Sequence, residues 1–262
     1  MFKIMRAIGL LGVILFLPLG IFALDQDWQE EKSTHFIVFY KNAPKDMLSE
    51  LIQKAEEGYN SIADDFGFNR FDFWTWDNRA RIYLYDNQEE YRKATQSSDW
   101  SGAQVRISAK LIQSYVGAPG ILQNMLPHEL AHIIFMEMVG FNNPSVPLWL
   151  HEGVASYQEQ EKDIYLIKAD LAERINQGDY LDLDALNKFQ TKRSSSEKVR
   201  LFYAESYSLV KFLIVKFGKE SFVDFCRSLR DDRSLTVALR RVYSFEKLDD
   251  FEKAWKKYIL TK

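Results

Sequence analysis

Hydrophobic positions change their rhythm partway along the chain. Thr34-His35-Phe36-Ile37-Val38-Phe39-Tyr40 is β-branched and aromatic, is bounded by polar residues, and predicts a strand. From Met47 to Phe66 the apolar residues Leu48, Leu51, Ile52, Ala55, Tyr59 and Ile62 recur at helical spacing, with Gly67 as the stop. A second strand is expected over Arg79–Tyr85, a helix over Gln88–Thr95, and one or two short strands within Gln104–Tyr115. Gly117-Ala118-Pro119-Gly120 then reads as a loop. Beyond it the pattern is almost wholly helical. Helices are expected over Met125–Val139, Leu148–Gln160, Asp163–Ile175, Tyr203–Phe217, Lys219–Leu229, Ser234–Val242 and Asp249–Ile259, and Gln190–Glu197 reads as a polar loop. A mixed sheet followed by helices makes an α+β protein with an N-terminal lobe over residues 30–120 and a helical lobe over 121–262.

The N-terminus departs from both rhythms. Lys3 and Arg6 precede an uncharged run from Ala7 to Ala23, after which Leu24-Asp25-Gln26-Asp27 turns polar. A basic start, an apolar middle and a small residue before polar sequence predict a secretory signal over residues 1–23. The run also nearly reaches bilayer length, so an uncleaved inner-membrane anchor stays open. Either way the remaining chain is expected outside the cytoplasm, in a bacterial periplasm or secreted. Cys226 is the only cysteine, which excludes an intramolecular disulfide, and no cysteine follows the apolar run where a lipid anchor would attach. With 34 basic against 37 acidic residues, nothing favours nucleic acid as a partner. In Arg70-Phe71-Asp72-Phe73-Trp74-Thr75-Trp76 the aromatics read first as core and second as a binding platform.

Candidate chemistry gathers where three of the four histidines crowd together. In Pro127-His128-Glu129-Leu130-Ala131-His132, two histidines four apart share one helix face and can aim both imidazoles at a single point. Glu129 stands beside that point. This is HExxH spacing, two imidazole ligands for Zn²⁺ and a carboxylate able to take a proton from water. Pro127 fits the first helical turn, with Asn124 as the expected N-cap. The surrounding Leu130, Ala131, Ile133, Ile134 and Phe135 bury the helix, where unsatisfied polar groups are costly. Nineteen residues separate His132 from Glu152, in Trp149-Leu150-His151-Glu152-Gly153-Val154-Ala155. Two histidines and a glutamate leave a fourth zinc position open, the catalytic pattern. His151 is a rival third ligand, because neighbours on a helix point about a hundred degrees apart and cannot both serve. His35 and Cys226 read as structural.

His128-Glu129-Leu130-Ala131-His132 followed by Trp149 to Ala155 resembles the gluzincin metallopeptidases, in particular the bacterial peptidase MA-like branch akin to thermolysin and aminopeptidase N. The resemblance is sharpest from Leu126 to Tyr157 and selects Glu152 over His151. It implies a thermolysin-like zincin, with residues 30–262 as one peptidase domain and the zinc site between its two lobes. His128, His132 and Glu152 would be the ligands, Glu129 the general base, and Tyr203 or Tyr207 the oxyanion donor, with Tyr157 a third candidate. The strand near Lys110–Tyr115 would be a sheet edge to which a peptide substrate adds. The Gly-x-Met-x-Asn stretch of aminopeptidases is missing, so the implied activity is that of an endopeptidase. Two other readings stay open, a catalytically silent zinc-binding envelope protein and a zinc amidase acting on cell-wall peptide.

Overall fold

In the computed structural model, residues 27–67, 74–97, 102–159 and 164–261 are described, with no account of the side chains at 164–166. The apolar run 7–23 and the aromatics Phe71 and Phe73 lie outside these residues. Among the described residues no helix is long and apolar enough to cross a membrane.

Five strands form one mixed sheet: β1 (Gln29–Lys32), β2 (Phe36–Tyr40), β3 (Ala80–Tyr85), β4 (Ala103–Arg106) and β5 (Leu111–Tyr115), in the order β1-β2-β3-β5-β4. β2, β3 and β5 run parallel, while β1 and β4 pair antiparallel at the two edges. The parallel steps need crossovers, supplied by α1 (Lys45–Asp65) and α2 (Gln88–Thr95). Phe36, Val38, Ala80, Ile82, Leu84 and Ile112 line one sheet face and are buried. Leu48, Leu51, Ala55, Tyr59 and Ile62 line the inner stripe of α1. On the opposite face Phe39 stacks on Tyr83, and Trp28 meets Tyr83 and Tyr85 edge-on.

The strand at Leu111–Tyr115 was expected to be an edge. It is interior instead, hydrogen-bonded to β3 on one side and β4 on the other. A short 3₁₀ turn at Ile107–Ala109, closed by Lys110 at φ 48°, sends the chain back as a hairpin and leaves β4 outermost. β5 is accordingly buried along most of its length, whereas no residue of β4 is.

Eight helices follow: α3 (Leu126–Val139), α4 (Leu148–Tyr157), α5 (Ile164–Gln177), α6 (Leu183–Asn187), α7 (Ser196–Phe217), α8 (Lys219–Asp232), α9 (Leu235–Tyr243) and α10 (Leu248–Leu260). α3 packs against α1, α4 and α8, and α4 lies between α3 and α7. Gly153 makes the closest approach: a Cβ there would fall 2.3 Å from the Ser206 carbonyl oxygen on α7. Asn124 is not the cap of α3. One π turn, Ile121–Met125, opened by Gly120 at φ 70°, runs straight into the helix and places Asn124 inside it. Trp74 is fully buried and donates from Nε1 to Glu137, while Trp76 is 80% exposed. His35 pairs with Glu56 and stacks on Tyr59, and Cys226 is wholly buried.

Candidate metal centre

The helical repeat of α3 turns His128 and His132 toward the same side, and their Nε2 atoms stand 3.1 Å apart. α4 brings the Glu152 carboxylate to them, with Oε2 3.7 Å from each Nε2. A triangle with those sides has its equidistant point about 2.0 Å from every corner, which is a zinc–nitrogen or zinc–oxygen bond length. The donor chemistry agrees. Nδ1 of His128 lies 2.8 Å from Glu159 Oε1, so it carries the hydrogen and leaves Nε2 with its lone pair facing the other ring. Two imidazole nitrogens this close repel unless a proton or a cation lies between them. These residues fit a divalent metal.

The electrostatics add to that demand. Burial disfavours charge on His128, yet the Glu152 and Glu159 carboxylates, with Glu129, outweigh it and push the imidazole up to about 9. His132 is held well below its ordinary value by burial, then by His151 and His128. Glu129 is pushed up to about 7, first by burial and then by Glu152 and Glu159. Three carboxylates crowded around two imidazoles in a half-buried site form an environment that a cation neutralises.

His151, the rival ligand, lies behind His132 rather than at the convergence. Its ring centroid is 4.1 Å from that of His132 and 6.4 Å from that of Phe135, and its Nε2 is buried with no partner. Among the described residues, the His, Cys, Asp and Glu side chains whose ligand atoms lie within 4.8 Å of one another are His128, His132 and Glu152. Tyr203 reaches the same centre from α7. Its hydroxyl is raised above the ordinary phenol range by burial and then by Glu152, Glu129 and Glu159. Tyr207, one turn on, is directed elsewhere: its ring lies 6.4 Å from that of Tyr157, and its hydroxyl accepts from Lys211 at 3.3 Å. Burial and the neighbouring Tyr157 push it up to about 12.

Glu159 is the site residue that sequence reasoning passed over. A signal was present in the spacing, since it falls seven positions after Glu152, although α4 ends at Tyr157 and Glu159 stands just past its end.

A mixed sheet backed by a helix that carries HExxH, with an acid returned by the next helix, defines a zincin-like class of protein. The comparisons agree. The family model of the Peptidase MA superfamily matches residues 75–261, and the chain belongs to that superfamily. A solved structure of a two-domain M1 zinc metallopeptidase, a mutant bound to L-arginine, is similar over 90% of this chain and 52% of that one. Its TM-score is 0.53 and its identity 14%, so the likeness is one of fold. The chain thus spans about half the length of that neighbour. No curated protein matches the sequence.

Proposed function

We propose that the protein is a zinc-dependent endopeptidase acting on peptide or unfolded protein outside the cytoplasm, where the Ala7–Ala23 segment would direct it as a signal or anchor. The observation that carries the reading is the triangle of His128 Nε2, His132 Nε2 and Glu152 Oε2, whose centre suits zinc. A bound zinc ion supplies Lewis acidity at a scissile carbonyl and lowers the pKa of water. The remaining work falls to the chain. Glu129, next to His128 on α3, takes the proton of the attacking water on its carboxylate and passes it to the leaving amine. The Tyr203 hydroxyl donates to the oxyanion that develops on the former carbonyl oxygen. Glu159 fixes the tautomer and orientation of His128 through Nδ1. The open edge of β4 gives an extended peptide main-chain partners.

Unfolded casein incubated with the zinc-loaded protein tests this. Cleavage is expected, and Glu129→Gln should abolish it while leaving one zinc per chain. Glu152→Ala should lose the metal and His151→Ala keep it; the reverse result would reassign the third ligand. Zinc bound with no hydrolysis of any peptide would favour a silent binding protein. Activity on cell-wall peptide alone would favour an amidase.

A further inference from the structure

The two faces of the sheet are finished differently. α1 closes the inner face, where Phe36 meets Tyr59 of that helix edge-on. On the outer face α2 reaches one end, through Tyr91 against Tyr85 and Tyr115. Over the rest, Trp28, Ile37, Phe39, Tyr83 and Leu111 keep part of their surface in solvent. Strand pairing sorts this face into rows, because paired residues point to the same side. Glu30, Phe39, Tyr83, Gln113 and Gln104 make one row, and Lys32, Ile37, Arg81, Leu111 and Arg106 make the next. The aromatics form a plate: Phe39 stacks on Tyr83 at 4.6 Å, and Trp28 meets Tyr83 and Tyr85 at 5.1 and 5.3 Å. Lys41 lies 5.4 Å over the Trp28 ring, and Gln113 donates to the Tyr85 hydroxyl at 2.9 Å. Lys32, Lys41, Arg81 and Arg106 therefore border the plate, with one acid in these rows, Glu30, which pairs with Lys32.

Rings with polar tips beside a basic row suit the interface of a bilayer, where Trp and Tyr gather and cations meet anionic headgroups. An exposed apolar plate marks a contact of some kind, and the chain itself indicates which. The uncharged run Ala7–Ala23 is seventeen residues, nearly bilayer length, and follows Lys3 and Arg6. Only Leu24, Asp25, Gln26 and Asp27 separate its end from Trp28, a reach of at most roughly 18 Å. A retained anchor would thus hold this face beside the membrane. Since the link carries Asp25 and Asp27, attraction to anionic lipid falls to the Lys32–Arg106 row, two rows beyond Trp28.

We propose that the outer face of the sheet rests on an anionic lipid bilayer, to which a retained Ala7–Ala23 segment tethers it. The proposal takes the anchor rather than the cleaved signal from the reading above, and it does not depend on peptidase activity. With this face on lipid, α1 and the α3 that packs on it lie on the far side of the sheet, and the metal centre is kept on the aqueous side.

Cys226 is wholly buried, so a cysteine introduced at the surface can carry a fluorophore alone. The full chain is labelled at Glu30→Cys, on the plate, or at Lys188→Cys on α6, and reconstituted into phosphatidylcholine vesicles with or without phosphatidylglycerol. A nitroxide on the lipid headgroup serves as a short-range quencher. With phosphatidylglycerol present, the probe at position 30 should be quenched and the probe at position 188 should not. Arg81→Gln and Arg106→Gln should each lower the docked-to-free ratio about fivefold, the worth of one cation at an anionic surface. Trp28→Ser should lower it too, with circular dichroism unchanged. No quenching at position 30, equal quenching at both positions, or quenching indifferent to phosphatidylglycerol and to the Gln substitutions would overturn the docking. So would a position 30 that refuses label in detergent, which would mean that another part of the chain covers the plate. Protein stripped from the vesicles by sodium carbonate would lack the tether and overturn the proposal as well. Loss of casein cleavage with quenching intact would sink the peptidase reading alone.

Discussion

At the scale of single residues, the centre is a set of donors whose protonation is fixed by neighbours. His128 offers its Nε2 lone pair because Nδ1 is committed to Glu159, and a carboxylate in that position makes the imidazole a stronger base toward a metal. Glu159→Gln keeps an oxygen for the Nδ1 hydrogen and removes the charge, whereas Glu159→Ala removes both. Competition against a chelating dye should show zinc affinity falling about tenfold for the Gln variant and about a hundredfold for the Ala variant. Equal affinity in all three proteins would mean that His128 holds its tautomer without help. His132 gives the contrast. Its Nδ1 is buried with no partner, so on that side the ring is set by packing, against His151 at 4.1 Å. The chain thereby holds its two imidazoles by different means, one by charge and one by shape.

At the scale of elements, the site depends on how closely α4 approaches its neighbours. Glu152 meets the histidines only because Gly153, the next residue, lets α4 lie against the α7 backbone. A methyl group there would overlap the Ser206 carbonyl at 2.3 Å and its carbon at 2.7 Å. Backbone cannot rotate aside as a side chain can, so in Gly153→Ala the helices must separate. Thermal unfolding should show a loss of about 1–3 kcal/mol, the usual range for overpacking, at roughly 2–4 °C per kcal/mol for a domain of this size. Zinc affinity should fall in parallel, since Glu152 travels with α4. A variant that melts like the parent would mean that the two helices have slack. Much of this level was legible in the sequence. The stripe of α1, the Gln88–Thr95 helix and the apolar α3 follow from local spacing. α7 begins seven residues before the expected Tyr203, capped by Ser195, whose side chain accepts from the Lys198 amide. The serine run read as loop because the residues after the cap are polar. β1 is Gln-Glu-Glu-Lys and exposed throughout, so no apolar alternation marks it. The edge position of β4 rather than β5 is a pairing order set by the whole sheet, to which no residue in either strand testifies.

At the scale of the whole molecule, the segment between α5 and α6 is tied to α7 and to α10 by two acids, one of them wholly buried. Glu205 is completely buried. Its Oε1 accepts from the Leu181 amide at 2.9 Å, and its Oε2 has no partner. On α10, Glu252 accepts from the Leu183 amide and the Tyr180 hydroxyl, so two acids fasten the segment that leads into α6. Burial pushes Glu205 up to about 8, with Glu252 and Asp179 adding to the shift while the Leu181 amide and Arg174 oppose it. A raised carboxyl keeps its proton in the folded state between roughly pH 4.5 and 8, where the unfolded chain has released it. The folded protein then binds more protons than the unfolded one, and stability declines as pH rises through that window, by up to about 1.4 kcal/mol per unit. Above about 8 both states are ionised and this contribution levels off. Urea midpoints for the metal-free protein at pH 5.5 and 8 should therefore differ in favour of the lower pH, and Glu205→Gln should shrink the difference by removing the proton that is lost. If the parent and Glu205→Gln show the same pH slope, the acid is ionised in the folded state and the orphan oxygen is met by water. The metal site would respond in the opposite sense, because imidazole ligands must be deprotonated to bind zinc. Below neutrality, then, the helical frame should be firm while the metal is weakly held, and in mild alkali the metal should be firm while the helix that carries Tyr203 loosens.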